Sequence, residues 1–352
     1  MASLLSKGHW TRALLPIPLW LAGAGALLSA GCGEIEPVRG GGGAGGEGSG
    51  ASGGAMSSAA GSGGAGGTGA GEPLCGCSEV GGVPSECVAL TDNSKATKSG
   101  LRMAQLQLQL PAAFKNPVTA GPLEQGVTPN LKSCALSGDG TFSWLIELDE
   151  DQGILQIGSA RPVADPTEGY CFIDETLAGI AVQPATAGAS IRGGVLSMDA
   201  SADVVIVIFL GGAESFLLLP LRGLLLGGAL SADKNCIGKL NAELLGPSPD
   251  CEPVGDVPWF ENGGTIDAHV SLEEADAVQI DALKQSLCVL LTGDPGTGNP
   301  KKCVRDANGE IVAKGDFCSV TNEAGGCQDA VRVQGEFAAS AVTIHGACPP
   351  GP

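Results

Sequence analysis

Between residues 103 and 110 apolar and polar side chains alternate without a slip, with Leu106, Leu108 and Leu110 on one side and Gln105, Gln107 and Gln109 on the other. A period of two marks a half-buried strand. The alternation returns in Phe142, Trp144, Ile146 and Leu148, whose outward neighbours include Ser143 and Glu147, and residues 149–153 turn it into a partner at 154–158. That turn, D-E-D-Q-G, lacks the third carboxyl position and distal glutamate of a calcium-binding loop, so it reads as a hairpin turn. From 204 to 230 the chain is apolar on both parities, interrupted by Glu214, Arg222 and two Gly-Gly pairs. Such short runs suit central strands buried on both faces rather than a membrane-spanning helix. Residues 265–272 alternate again: Ile266, Ala268, Val270 and Leu272 point inward, while Thr265, Asp267, His269 and Ser271 form a solvated face. Residues 331–344 supply the last strand or strands, with a parity shift around 338–340 that marks a bulge or turn.

One stretch has helical spacing instead: Leu283, Leu287, Leu290 and Leu291, ended by Gly293. Ser271 with Glu274 offers a capping box for it, or Asp281 caps a shorter version. Residues 74–99 read as a cysteine-rich stapled loop, 111–129 as a Pro-rich loop, and D-A-N-G at 306–309 as a tight hairpin turn. Together these elements predict a mainly β fold, an antiparallel β-sandwich with a jelly roll as one form of it, and one short helix.

Ahead of this body, Lys7 and Arg12 precede an apolar run over 13–28, then the small residues Ser29, Ala30 and Gly31, then Cys32. Small side chains let the backbone lie extended in a peptidase cleft, and the cysteine thiol can carry a diacylglyceryl group. In Ala30, Gly31 and Cys32 the segment resembles the lipobox of bacterial lipoproteins, departing at Ser29, where that family most often has leucine. The resemblance is confined to the first 32 residues. It implies a signal peptide over 1–31, acylation of Cys32 and a membrane contact through that lipid. Gly33, in place of an acidic retention signal, implies the outer membrane, with the body facing the periplasm or the cell exterior. Residues 40–72 are almost all glycine, alanine and serine, a disordered coil reaching roughly 30 Å. The organisation is therefore signal (1–31), lipidated cysteine and tether (32–72) and a single β domain (73–352).

Removing the signal takes two positive charges, so the net charge of −19 becomes −21. A surface of that sign repels phosphate backbones and excludes nucleic acid as a partner. Twelve cysteines remain besides Cys32: Cys75, Cys77, Cys87, Cys134, Cys171, Cys236, Cys251, Cys288, Cys303, Cys318, Cys327 and Cys348. An even number in an exported chain predicts six disulfides. Five lie before the long apolar block and seven after it, so full pairing requires at least one bridge across the middle of the chain. Zinc is disfavoured by spacing, since Cys75 and Cys77 are one residue apart and no C-x-x-C pair meets another.

Catalytic side chains are sparse. After the signal only His269 and His345 remain, and Asp267, His269 and Ser271, two apart on a strand, point the same way roughly 7 Å from one another. They do not make a relay. The loop G-D-P-G-T-G-N-P-K-K has Asn299 where a phosphate-cradling loop needs lysine after Gly298. No cofactor is implied. The strongest binding feature is Trp259 beside Asp256, Glu261 and Asn262, a flat apolar ring rimmed by hydrogen-bonding groups, as a small glycan site requires. The sequence thus predicts a non-catalytic module for a glycan or protein ligand, with a carboxylate-based glycosidase as the alternative.

Overall fold

The computed structural model describes residues 85–115, 117–131, 136–210, 215–241 and 258–349. The signal and tether segments, Cys32, Cys75, Cys77, Cys134, Cys251 and Asp256 lie outside the described residues.

Eight strands form the main ring: β1 (Lys98–Leu110), β2 (Ser143–Asp149), β3 (Ile154–Ala160), β4 (Ala185–Arg192), β5 (Val195–Met198), β6 (Phe216–Ala229), β7 (Gly264–Ser271) and β8 (Ala330–Ala341). Each pairs antiparallel with the next, and β8 returns to pair with β1 from Leu101↔Ala341 to Leu110↔Gln334. The sheet therefore closes in chain order. The mainly β, antiparallel architecture expected from the sequence is present, and the two layers of the expected sandwich are opposite walls of one closed sheet. Closure leaves the ring without an open edge, which removes a template for aggregation. Four further strands, Ala202–Phe209, Cys236–Ile237, Phe317–Cys318 and Glu323–Ala324, bring the sheet to 12.

Register stacks the inward rows. Leu101 lies opposite Ile146, Ile146 opposite Ile157 and Ile157 opposite Ala185, while Leu106 lies opposite Phe337 and Phe337 opposite Gly264. Trp144, Leu155, Val333 and Phe337 are buried in the resulting core. At Gly264 a Cβ would sit 2.4 Å from the Phe337 ring, so only glycine leaves room for it. Outward positions carry Gln107, Glu147, Gln156, Asp267, Arg332 and Glu336. That polar surface differs from the apolar band of a lipid-embedded barrel, and no described helix is long and apolar enough to cross a membrane.

The parity shift expected near 338–340 falls on the partner strand. β8 runs unbroken to Ala341, and β1 has the bulge, between Met103 and Gln105. It lets Met103 and Leu106 both face inward. The apolar run over 204–230, expected to be buried on both faces, is so only in its hairpin half: Ala202–Phe209 pairs with the first half of β6, and Val204, Ile206, Val207, Ile208, Leu217, Leu218 and Leu219 are buried, while further along β6 Leu224 and Leu226 are buried and Leu225 is exposed. The reason is tertiary. This hairpin crosses the inward face of β3, where the Val207 N–H donates to Ser159 Oγ at 2.8 Å.

Among the described residues three short α-helices occur rather than one. α1 (Pro117–Val127) lies within the expected Pro-rich loop. Its composition is poor for a helix, but Leu123 and Val127, one turn apart, are buried in the core, and tertiary packing of that face outweighs propensity. α2 (Leu272–Ala277) is capped by Ser271, which accepts from the Glu274 N–H. α3 (Leu287–Thr292) is capped by Ser286 and ends at Gly293 in the left-handed conformation. Between them Gln279–Ile280 pairs with Gln285–Ser286, so Leu283 is exposed in a turn and Asp281 caps neither helix.

Eight of the twelve expected disulfide cysteines are described, and all are paired: Cys87–Cys236, Cys171–Cys348, Cys288–Cys303 and Cys318–Cys327. The first two cross the middle of the chain, as the parity argument requires, with separations of 149 and 177 residues.

Candidate functional site

The Trp259 segment forms a strap on the barrel's outer surface. Phe260–Glu261 pairs with Lys239–Leu240, Phe260 is fully buried, and Trp259 is half-buried against the core. Gln105 clamps the strap from β1: its Nε2 donates to the Phe260 carbonyl at 2.6 Å and its Oε1 accepts from the Phe260 N–H at 2.9 Å. Asn262 Oδ1 accepts from Gln105 Nε2, and Asn262 Nδ2 donates to Gln107 Oε1 at 2.8 Å. Glu261 pairs with Lys239 at 2.9 Å. The structure thus places Glu261 and Asn262 beside Trp259, with both functions of the Asn262 amide spent on holding the strap to the glutamine row.

Asp267, His269 and Ser271 do share one face of β7, but His269 is not solvated: only 7% of its surface is exposed. The alternation correctly gave its side of the strand and could not reveal what covers that side. The Phe317 ring lies 5.1 Å from the imidazole, on a segment closed by Cys318–Cys327. Cross-strand register sets Arg222 of β6 on one side of His269 and Arg332 of β8 on the other. Both arginines are neutralised. Arg222 Nε donates to Glu274 Oε1 at 2.9 Å and Nη1 to Asp203 at 3.1 Å, and Arg332 Nε donates to Asp267 Oδ1 at 2.9 Å. Ser271 Oγ donates to Glu274 Oε2 at 2.7 Å. The serine and aspartate of the apparent hydrolase set are therefore engaged elsewhere.

Burial pushes the His269 imidazole below its ordinary pKa, with Arg222 acting in the same direction and Asp203, Asp329 and Glu274 opposing. A histidine held neutral in the fold charges more readily in the unfolded chain. Its contribution is complete above the unfolded value of 6.5 and is lost as pH falls through 6.5 toward the lower folded value. We expect the urea midpoint to fall between pH 7 and pH 5, and His269→Gln to flatten that slope. An unchanged slope in the variant would assign the acid sensitivity to other groups.

Two clusters bring sulfur and carboxylate together, Asp276 with Cys288 and Cys303, and Asp329 with Cys318 and Cys327. In both the sulfurs are bonded to one another, so neither offers a thiolate to a metal. Asp276 is instead a tie, accepting from Ser286 Oγ at 2.9 Å, the Cys303 N–H at 2.8 Å and Arg305 Nη2 at 3.0 Å.

A concave feature among the described residues lies elsewhere. A cavity of about 480 Å3 opens where three stretches meet: Ala178 and Ile180, the hairpin residues Leu210, Ser215, Phe216 and Leu218, and residues 277–282. Clefts of about 230 Å3 beside Gln107 and Glu124 and about 280 Å3 beside Tyr170 are smaller. No sequence pattern announced the cavity, because its walls come from segments distant in the chain. Comparison with known proteins returns no match to a family model, a curated protein or a solved structure; the site is read from its geometry.

Proposed function

We propose that the chain is an exported protein of the cell envelope, anchored in the outer membrane by an acylated Cys32, whose tethered β domain binds a ligand rather than transforming one. The observation that carries the anchored reading is the Ala30, Gly31, Cys32 step at the end of an apolar run, followed by a glycine-rich spacer. Four disulfides in the body suit the oxidising compartment that export supplies. A binding role is supported by the preformed cavity and by the outer face of β7, whose Asp267 and Ser271 are committed to neighbouring side chains.

The anchor is tested by intact mass and by labelling with palmitate. The mature protein should begin at Cys32 and carry acyl chains, and Cys32→Ala should lose the label. A mature N-terminus at another residue overturns the reading.

A further inference from the structure

We infer that the cavity lined by Ala178, Leu210, Ser215 and residues 277–282 is the ligand site of the domain, and that it takes a small molecule with a compact apolar body and an uncharged or cationic polar group. The inference rests on the binding role proposed above and names its site and ligand class.

Its walls are set by the fold. Leu218 belongs to β6 and is buried on the core, and so are Val278 and Ile280. Val278 is fixed as the cap of α2, its N–H donating to the Glu274 carbonyl at 3.2 Å, and Ile280 is paired with Gln285. The Leu210 N–H donates to the Ser215 carbonyl at 2.8 Å, which closes the hairpin end. A volume of about 480 Å3 falls within the range of small-molecule sites.

The chemistry of the lining selects the ligand. Ile180, Leu210, Phe216, Leu218, Val278 and Ile280 are apolar and favour an apolar body by removing it from water. Among the described residues of the lining Asp281 is the single ionisable one, and it is exposed. An anionic group there would meet a carboxylate on a chain of net charge −19, whereas an amine would meet an opposite charge. Gln279 also lines the cavity, and its Nε2 is buried without a protein acceptor. Rotation of the amide toward the cavity would let a ligand oxygen satisfy that donor, which is costly to leave unmet.

Three probes of the same shape separate these contributions: 1-aminoadamantane, 1-adamantanol and adamantane-1-carboxylate, titrated by ligand-observed NMR against the full mature chain in nanodiscs, with empty nanodiscs subtracted. The amine and the alcohol should bind, and the carboxylate should bind about tenfold more weakly than the amine. Asp281→Asn should remove the preference for the amine. Ala282→Trp, at an exposed lining position, should abolish binding of all three without lowering the melting temperature. Absence of binding by all three probes, or binding unchanged by Ala282→Trp, overturns the assignment. If Ala282→Trp unfolds the chain, the Asp281→Asn comparison decides: a charge preference that persists overturns the assignment. The anchored reading stands or falls separately, on the mass of the Cys32 peptide.

Discussion

Replacing Cys171 and Cys348 together by serine should destabilise the domain by about 5 kcal/mol, the closure entropy returned to an unfolded chain when a loop of 177 residues is opened. The bridge joins the short parallel strands Tyr170–Phe172 and Ile344–Ala347, and both cysteines are half-exposed, so little packing is lost with the sulfurs. The figure is an upper one, because Cys87–Cys236 closes an interleaved loop of 149 residues that remains intact. A matched control removes Cys318–Cys327, whose 9-residue separation predicts only about 2.6 kcal/mol by the same relation. Urea unfolding of the two variants, without reductant, gives the comparison. Equal losses would show that strain or local packing, rather than loop closure, sets the value of these bridges.

A second large effect is expected at Arg102, which is buried to 3% exposure on the outward side of β1. Its Nε donates to Ser143 Oγ at 3.0 Å, Nη1 to the carbonyls of Met103 at 3.0 Å and Val127 at 2.8 Å, and Nη2 to the Phe142 carbonyl at 3.1 Å. The guanidinium lies 5.5 Å from the centre of the Tyr170 ring. One side chain thereby joins β1, the start of β2 and the end of α1. All four acceptors are uncharged, so the cost of burying the cation is offset by charge-assisted hydrogen bonds and the ring face. Arg102→Met removes that burial cost but leaves carbonyls at α1 and β2 unmet, each worth about 1–3 kcal/mol, and a net loss of about 3 kcal/mol follows. Arg102→Lys should do little better, since one ammonium cannot reach four acceptors arranged around a planar fork. Retention of wild-type stability by Arg102→Met would mean that desolvation of the cation outweighs its hydrogen bonds.

The strands were legible because a half-buried strand writes its environment into its own residues. Leu106 and Leu108 against Gln107 and Gln109, or Trp144 and Ile146 against Glu147, state which side faces the core whatever the neighbours are. The D-E-D-Q-G turn, the Ser271 cap and the need for a bridge across the middle of the chain are also local or arithmetical properties, and each is present in the fold, although Ser271 caps α2 and Ser286, not Ser271, caps the helix of Leu287, Leu290 and Leu291. Partners are another matter. That β8 closes on β1, that the bulge falls in β1 opposite Ala338 and Ala339, and that α1 forms around Leu123 and Val127 all depend on contacts between residues far apart in sequence.

The candidate sites divide the same way. Sequence placed Trp259 beside Glu261 and Asn262, but the Gln105 and Gln107 amides that hold Asn262 come from a strand more than 150 residues earlier. It placed His269 on the outward side of β7, but the Phe317 ring above it and the two arginines beside it come from three other strands. The cavity has no signature at all along the chain. Sequence by itself determined the side chains' faces on the strands, the turn at 149–153, the even cysteine count and the lipobox-like segment, because each is encoded within a few residues or in composition. Closure of the barrel, the pairing of the described cysteines, the burial of His269 and Arg102 and the cavity were decided only by tertiary structure, because each exists only where segments without a common local pattern are brought into contact.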